Sequence, residues 1–174
     1  WLKFANRIDA FPLDTREYNA RMQYYRRNIN GEFDDNFGGW NIRPGNSKVG
    51  IIEIDKGGRI SDKNSALVEI KNKNGKPADL AMFWPFRINS GEKFSIALKT
   101  KANKPVNFYV RLEKTDEPSI KLIDELIKAS NETGNHNFVS KPAGEGGMYR
   151  VALYYGAMNA GDKVWVDDVR LAPS

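Results

Sequence analysis

Two stretches of the sequence alternate apolar residues with aromatic and planar polar ones. One stretch places Tyr109, Arg111 and Glu113 between apolar neighbours, and a second stretch does the same with Arg150 and Tyr154. If the apolar residues point into a core, these five side chains point away from it. Aromatic rings stack on the apolar C–H patches of sugars, and planar polar groups hydrogen-bond sugar hydroxyls. The pattern is therefore typical of strands that present a sugar-binding surface.

A third run adds a candidate ring to this surface. It reads Phe83-Trp84-Pro85, and strict alternation requires that either Phe83 or Trp84 enters the core. We expect Pro85 to perturb the local register, because proline cannot donate to a sheet ladder. We assign Trp84 to the surface and interpret Trp40 and Trp165 as packing residues. The predicted ligand-binding set is thus Trp84, Tyr109, Arg111, Glu113, Arg150 and Tyr154.

The catalytic alternatives find little support in the residue inventory. The chain has no cysteine, which excludes disulfides, thiolate nucleophiles and thiolate zinc sites, and it has one histidine, His136. We find no phosphate-binding glycine loop, serine-hydrolase elbow or zinc-protease motif. Acidic pairs for a glycosidase can be drawn among 22 acidic residues, but any such chain offers them. The sequence therefore predicts a protein that is not an enzyme.

Short alternating runs separated by Gly, Asn, Lys and Pro dominate the chain after residue 30. Many such runs between turn signals predict an all-β, antiparallel β-sandwich. The segment 120–129 is ambiguous: its apolar spacing suits a helix and its place in the order suits a strand, and we favour an inserted helical turn. The predicted strands cover residues 67–71, 80–88, 93–101, 106–113, 149–155 and 163–171.

The first 29 residues have a different pattern. Their apolar residues follow helical spacing, Pro12 ends a first run, and Asp14 with Glu17 forms a capping box for a second. We therefore divide the chain into a helical extension over 1–29 and a sandwich domain over 30–174. The extension is either the tail of a preceding catalytic domain or a clamp across one sheet.

The charge balance limits the partners. With 27 basic and 22 acidic residues the net charge is +5, which suits a mixed surface or attraction to an acidic partner. The basic residues are spread along the chain rather than gathered in one stripe, so we expect no nucleic-acid binding. No apolar run is long enough to span a membrane, and we expect no membrane partner.

Three motifs, in this order, resemble known carbohydrate-binding modules. They are Asn-Gly-Glu-Phe-Asp at 30–34 followed by Gly39-Trp40, the strand–Gly turn–strand at 86–102, and Val-Trp-Val-Asp-Asp-Val-Arg-Leu at 164–171. This sequence resembles modules of families four, nine and twenty-two, although Asp34 stands where those modules have Glu. The resemblance implies a galactose-binding-like jelly roll over residues 30–171, and the segment 1–29 lies outside it.

The resemblance also implies a structural calcium ion. In the related modules calcium joins the opening and closing strands away from the sugar, held by carboxylate and carbonyl oxygens. By position, Asp34 and Asp168 are the matching carboxylates, with Asp167 as a third. The alternative is that these acids lie at a turn and a strand end in water.

The function implied is that of a monomeric, secreted or cell-surface module, or a periplasmic one, that binds a polysaccharide or oligosaccharide. It would target the catalytic domain of a parent glycoside hydrolase or polysaccharide lyase to its glycan. A structural sandwich domain without sugar binding is the first alternative, since both keep the same core. A jelly-roll polysaccharide lyase is a distant alternative. Such lyases commonly use a Tyr–His pair, and this chain has a single histidine, His136, in a loop-like stretch.

Overall fold

Ten β-strands account for about half of the described residues in the computed structural model, which describes residues 26–43, 48–72 and 75–174. Among these residues, one 3-10 helix, Pro77–Asp79, precedes the strand Ala81–Ile88. Within the described residues, no helix is long and apolar enough to cross a membrane. The strands are β1 Asn41–Arg43, β2 Gly50–Asp55, β3 Ser65–Ile70, β4 Ala81–Ile88, β5 Phe94–Ala102, β6 Val106–Lys114, β7 Lys121–Ala129, β8 Gly134–Val139, β9 Gly147–Tyr154 and β10 Lys163–Pro173.

The strands form two five-stranded sheets. Sheet I has the order β1-β4-β9-β6-β7, and sheet II has the order β2-β3-β10-β5-β8. Every pair is antiparallel. The predicted all-β antiparallel sandwich is therefore confirmed. The six strands predicted from alternation are all present, whereas β1, β2, β7 and β8 were not predicted as strands.

The core lies between the sheets because alternate residues of each strand point inward. Phe94, Ile96 and Leu98 of β5 are buried, and Phe108 and Val110 of β6 face them from sheet I. Burial of this kind is the main favourable term in folding. It also fixes the register, since a slip of one residue would turn every core side chain to the solvent.

The predicted helical turn at 120–129 is wrong, because this segment is strand β7. It pairs with β6 from Val106↔Ala129 to Leu112↔Ile123, and a register irregularity follows at Glu113↔Lys121. Leu122 and Ile123 are consecutive and both buried, next to that irregularity. β7 is also an edge strand, so residues on both of its faces reach solvent. These two features produce the helix-like spacing of its apolar residues.

The predicted helical extension lies mostly outside the described residues, because residues 1–25 are not among them. Residues 26–29 form a turn against β4. Arg26 Nε donates to the Pro85 carbonyl at 2.7 Å, and Arg27 Nη2 contacts Glu92 Oε1 at 2.6 Å. The chain is therefore already attached to the sandwich before the first motif at residue 30.

Candidate functional site

The outer face of sheet I gathers five of the six predicted ligand-binding residues. β9 lies between β4 and β6, and its register places Tyr154 opposite Tyr109 and Arg150 opposite Glu113. Arg111 is opposite Ala152, on the same face. Because β6 and β9 are central strands of a packed sandwich, these side chains project from a rigid backbone. We call this surface, with Phe83 and Arg43, the sheet I face.

The structure places Trp84 in the core rather than on this face. Its side chain is buried, its ring lies 5.6 Å from the ring of Trp40, and its Nε1 donates to the Arg26 carbonyl at 2.6 Å. The β4–β9 register runs unbroken through Pro85↔Arg150. The prediction that Pro85 perturbs the register is therefore wrong. Strict alternation turns Trp84 inward and Phe83 outward.

Phe83 is the face residue that sequence reasoning missed. Two guanidinium groups cover its ring, with Arg150 Cζ at 4.0 Å and Arg43 Cζ at 4.9 Å from the centroid. Tyr154 packs edge-on at 5.6 Å. These neighbours leave Phe83 only 3% exposed. The alternation of Met82, Trp84 and Phe86 as core residues is the signal that assigns Phe83 to the outside.

Glu113 is a buried carboxylate held by two donors. It is 1% exposed, and its Oε2 accepts from Arg150 Nε at 2.8 Å and from the Tyr154 hydroxyl at 2.5 Å. Burial, and next the bond to Glu113, raise the pKa of Tyr154 from 10.0 to about 12. The hydroxyl therefore remains a protonated donor at neutral pH, and Glu113 has a fixed orientation.

Arg111 forms a second stacked group on the same face. Its Cζ lies 4.9 Å from the ring centroid of Tyr109 and 5.0 Å from that of Tyr154. Its Nε donates to Asp124 Oδ1 at 2.8 Å. Tyr109 is half-buried, so part of its ring is open to a ligand. The guanidinium plane and the tyrosine ring can both contact a flat partner.

A cleft runs along the β1 side of this face. Its volume is about 380 Å³. Phe83, Pro85 and Met148 supply apolar surface, and Arg43 and Arg150 supply charge. Asn41 and Thr115 add hydrogen-bonding groups at its margin. A mainly apolar cleft with a few convergent polar groups has the character of a small-ligand site.

The three predicted calcium ligands divide between two environments. Asp34 and Asp168 line one groove together with Gly31 and Val169. Asp167 is buried away from them: Ser61 Oγ donates to its Oδ2 at 2.8 Å and the Asp168 amide donates to its Oδ1 at 2.7 Å. Burial raises the pKa of the Asp167 carboxyl.

The donors as arranged do not fit a calcium ion. Arg170 Nε contacts Asp168 Oδ1 at 2.9 Å, and Lys99 Nζ contacts its Oδ2 at 3.4 Å. The hydrogen bond from Arg170 is the first cause of the lowered pKa of Asp168, with a smaller effect of Lys99. No group of three or more His, Asp or Glu among the described residues is placed to hold a metal. Side-chain cations thus occupy the carboxylate that would bind calcium, and calcium binding stays a prediction.

His136 lies apart from the sheet I face. It belongs to β8 in sheet II, where its Nε2 and Thr100 Oγ1 are 2.8 Å apart. Burial lowers the pKa of its imidazole. Trp165 is also on sheet II, with Nε1 donating to Asp55 Oδ2 at 2.7 Å, and Trp40 is in the core. Both tryptophans therefore pack as predicted.

Comparisons with known proteins place this fold among carbohydrate-binding modules. No family model matches the sequence, and no curated protein matches it. A solved CBM4 module shares 15% identity over 84% of this chain and 94% of its own, with a TM-score of 0.62. The N-terminal cellulose-binding domain of Cellulomonas fimi β-1,4-glucanase C shares 16% over 84% and 95%, with a TM-score of 0.57.

A third solved structure, the module TmCBM61 in complex with β-1,4-galactotriose, shares 13% identity over 83% of this chain and 96% of its own, with a TM-score of 0.56. The chain covers nearly the full length of all three modules. At these identities the likeness establishes the shared sandwich fold. The predicted resemblance to carbohydrate-binding modules is therefore confirmed in the fold.

Proposed function

We propose that this chain is a non-catalytic carbohydrate-binding module whose ligand lies on the sheet I face. One observation carries the proposal: aromatic rings, guanidinium planes and hydrogen-bonding groups converge beside an open cleft on one rigid sheet. Tyr109 and the plane of Arg111 offer stacking surface to a sugar ring. Asn41, Thr115 and the free edges of the guanidinium groups offer hydrogen bonds to hydroxyls.

The arrangement suits binding better than bond cleavage. Glycosidases need a general acid and a second carboxylate on either side of the scissile bond. On this face Glu113 is buried under Arg150 and Tyr154, and Asp124 is paired with Arg111. Both carboxylates therefore position arginines. We extend the proposal to a secreted module that directs an attached polysaccharide-degrading enzyme to its glycan.

A structural sandwich domain without sugar binding is the second candidate, and a specific observation favours it. Phe83 and Tyr154 are only 3% and 5% exposed, because arginine side chains cover their rings. A ligand therefore meets few bare aromatic rings on this face. Under this hypothesis the stacked arginines serve to seal the sheet and to pack against a neighbouring domain.

A binding screen separates the two candidates. The full chain is tested against neutral and acidic polysaccharides by affinity electrophoresis, followed by titration calorimetry on the glycans that retard it. Tyr109→Ala removes the half-buried ring and is expected to weaken binding by about 10-fold or more, as loss of a stacking ring does. Leu67→Ala, a half-buried apolar residue paired with Trp165 on sheet II, is the matched control and is expected to bind normally.

Two results would contradict the proposal. If a folded chain is retarded by no glycan in the panel, the structural domain becomes the better interpretation. If Leu67→Ala weakens binding while Tyr109→Ala does not, the ligand lies on sheet II. Thermal unfolding of each variant establishes that the comparison is made between folded proteins.

A further inference from the structure

Arg43 differs from the other stacked arginines of the sheet I face. Arg111 and Arg150 are neutralised by Asp124 and Glu113, respectively. Arg43 is exposed at the end of β1, and its guanidinium stacks on Phe83 without an ion pair or hydrogen bond to any other residue in the described parts of the chain. Within the described part of the molecule, its charge and its five N–H donors therefore have no protein partner at the margin of the cleft.

The cleft as a whole has a positive charge excess. Glu113 is the nearest carboxylate to Arg150, but it is buried and already accepts from Arg150 and the Tyr154 hydroxyl. Arg87 lies on the same face of β4, four residues from Phe83, so the two Cα atoms are about 13 Å apart along the strand. Its side chain also has no ion pair within the described residues, and its backbone pairs with Met148 of the cleft. Arg43 at the cleft and Arg87 farther along β4 are thus two guanidinium groups of this face without an ion pair among the described residues.

We propose that the cleft selects glycans that contain uronic acids and that Arg43 binds the sugar carboxylate. This inference rests on the proposed sugar-binding function and names its ligand class. The planar fork of a guanidinium matches a carboxylate in two parallel hydrogen bonds, which a neutral hydroxyl cannot reproduce. Phe83 holds the Arg43 plane from below, so less side-chain freedom is lost on binding. Asn41, next to the same cleft, supplies a further amide group to the sugar.

The test compares polysaccharides that differ only in the carboxylate. Polygalacturonate is paired with its fully methyl-esterified form, and glucuronoxylan is paired with xylan freed of glucuronyl groups. Titration calorimetry on the intact chain is expected to give at least about 10-fold tighter binding to the acidic member of a pair, the effect of one charge-assisted contact. Because Arg43 is exposed, the preference is expected to shrink as NaCl rises from about 20 to about 300 mM.

Three variants assign the preference to a residue. Arg43→Gln is expected to abolish it and to weaken binding to the acidic member by about 10-fold, whereas Arg43→Lys keeps the charge and loses only the fork, with an intermediate effect. Lys101→Gln lowers the net charge equally from the outer face of sheet II and is the matched control. It is expected to bind as the native chain does. Arg43 is exposed, so its variants are expected to fold, and thermal unfolding checks this.

Each contrary result has a distinct meaning. Equal binding to both members of every pair, or a preference that survives in Arg43→Gln, overturns the inference and leaves the proposed function standing. A preference lost equally in Arg43→Gln and Lys101→Gln overturns it as well, because net charge alone would then explain the selectivity. Binding to sulfated glycans without binding to uronates also overturns it. A folded chain that binds no glycan removes the proposed function itself.

Discussion

Each sheet carries an arginine that stacks on an aromatic ring of its outer face: Arg150 on Phe83 in sheet I, and Arg59 on Trp165 in sheet II. Arg150 is a strand residue, and its side chain is 16% exposed above Glu113. Arg59 belongs to the loop between β2 and β3, and its side chain is 57% exposed, 3.6 Å from Asp55. An arginine stacked on an aromatic ring is therefore part of a strand in sheet I, whereas in sheet II the arginine comes from a loop that lies over the strand.

This difference explains why one face is a better candidate site. On sheet II the β2–β3 loop covers the strand surface, with Arg59 over Trp165 and Ser61 bonded to Asp167. On sheet I, Arg111, Glu113, Arg150 and Tyr154 come from strands β6 and β9, whose positions are fixed by the core. A site on strands is more precisely held than one on loops. Among the described residues, the cleft beside Phe83 lies open on the sheet I side.

The largest effect we expect separates the two arginines. Arg150→Met leaves Glu113 buried without its cation, and the free energy of unfolding is expected to fall by about 3 kcal/mol. Arg59→Met is the matched control, since it removes an exposed pair and is expected to cost less than about 1 kcal/mol. Urea unfolding at neutral pH measures both. Equal losses would show that the two stacked arginines contribute equally to stability and that Arg150 is not an integral part of sheet I.

A smaller effect concerns Tyr154 at alkaline pH. The folded-state pKa of Tyr154 is raised from 10.0 to about 12, so the folded protein holds this proton more tightly than the unfolded chain does. The stabilisation is complete below pH 10 and is lost as pH rises through 12. This amounts to about 2–3 kcal/mol over that interval. Unfolding free energies of the native chain and of Tyr154→Phe, measured from pH 9 upward, are expected to converge or cross for this reason.

The comparison with Tyr154→Phe is needed because burial also raises the pKa values of Tyr149 and Tyr155. Those two residues contribute a similar alkaline loss to both proteins, so only the difference reports on Tyr154. A difference that stays constant from pH 9 to beyond pH 12 would contradict the assigned pKa. It would mean that the Tyr154 hydroxyl is not both buried and hydrogen-bonded to Glu113 in solution as described.

The sequence predicted the central strands well because their alternation is enforced on both sides. β5 and β6 bury Phe94, Ile96, Phe108 and Val110 against each other, and each has partners along both edges. β7 has one partner strand and lies beside an irregularity, so its pattern resembles a helix. An edge strand satisfies fewer packing constraints, and its sequence records the fold less faithfully.

The candidate site was predicted in part for the same reason. Tyr109, Arg111 and Glu113 were assigned correctly to the outer face because their strand alternates cleanly. Trp84 and Phe83 were exchanged because Pro85 was expected to shift the register, and whether a proline does so depends on the neighbouring strands. The contribution of Arg43 was not predictable, since β1 has only three residues and no pattern of its own.

The smallest effect we expect is at the junction of the opening and closing segments, where the resemblance implied calcium. Arg170 and Lys99 already neutralise Asp168 there, so an added divalent cation would have to displace them. The melting temperature is therefore expected to differ by less than about 1 °C between excess calcium and excess EDTA, because ligand binding raises stability only through an available site.

Lys99→Gln with Arg170→Gln removes both cations, and in this variant calcium is expected to raise the melting temperature, because Asp168 and Asp34 then line a groove without these two counter-ions. A clear rise in the native chain would show instead that calcium displaces the two side chains. An absence of response in the variant as well would mean that the groove lacks the carbonyl and carboxylate geometry that calcium requires.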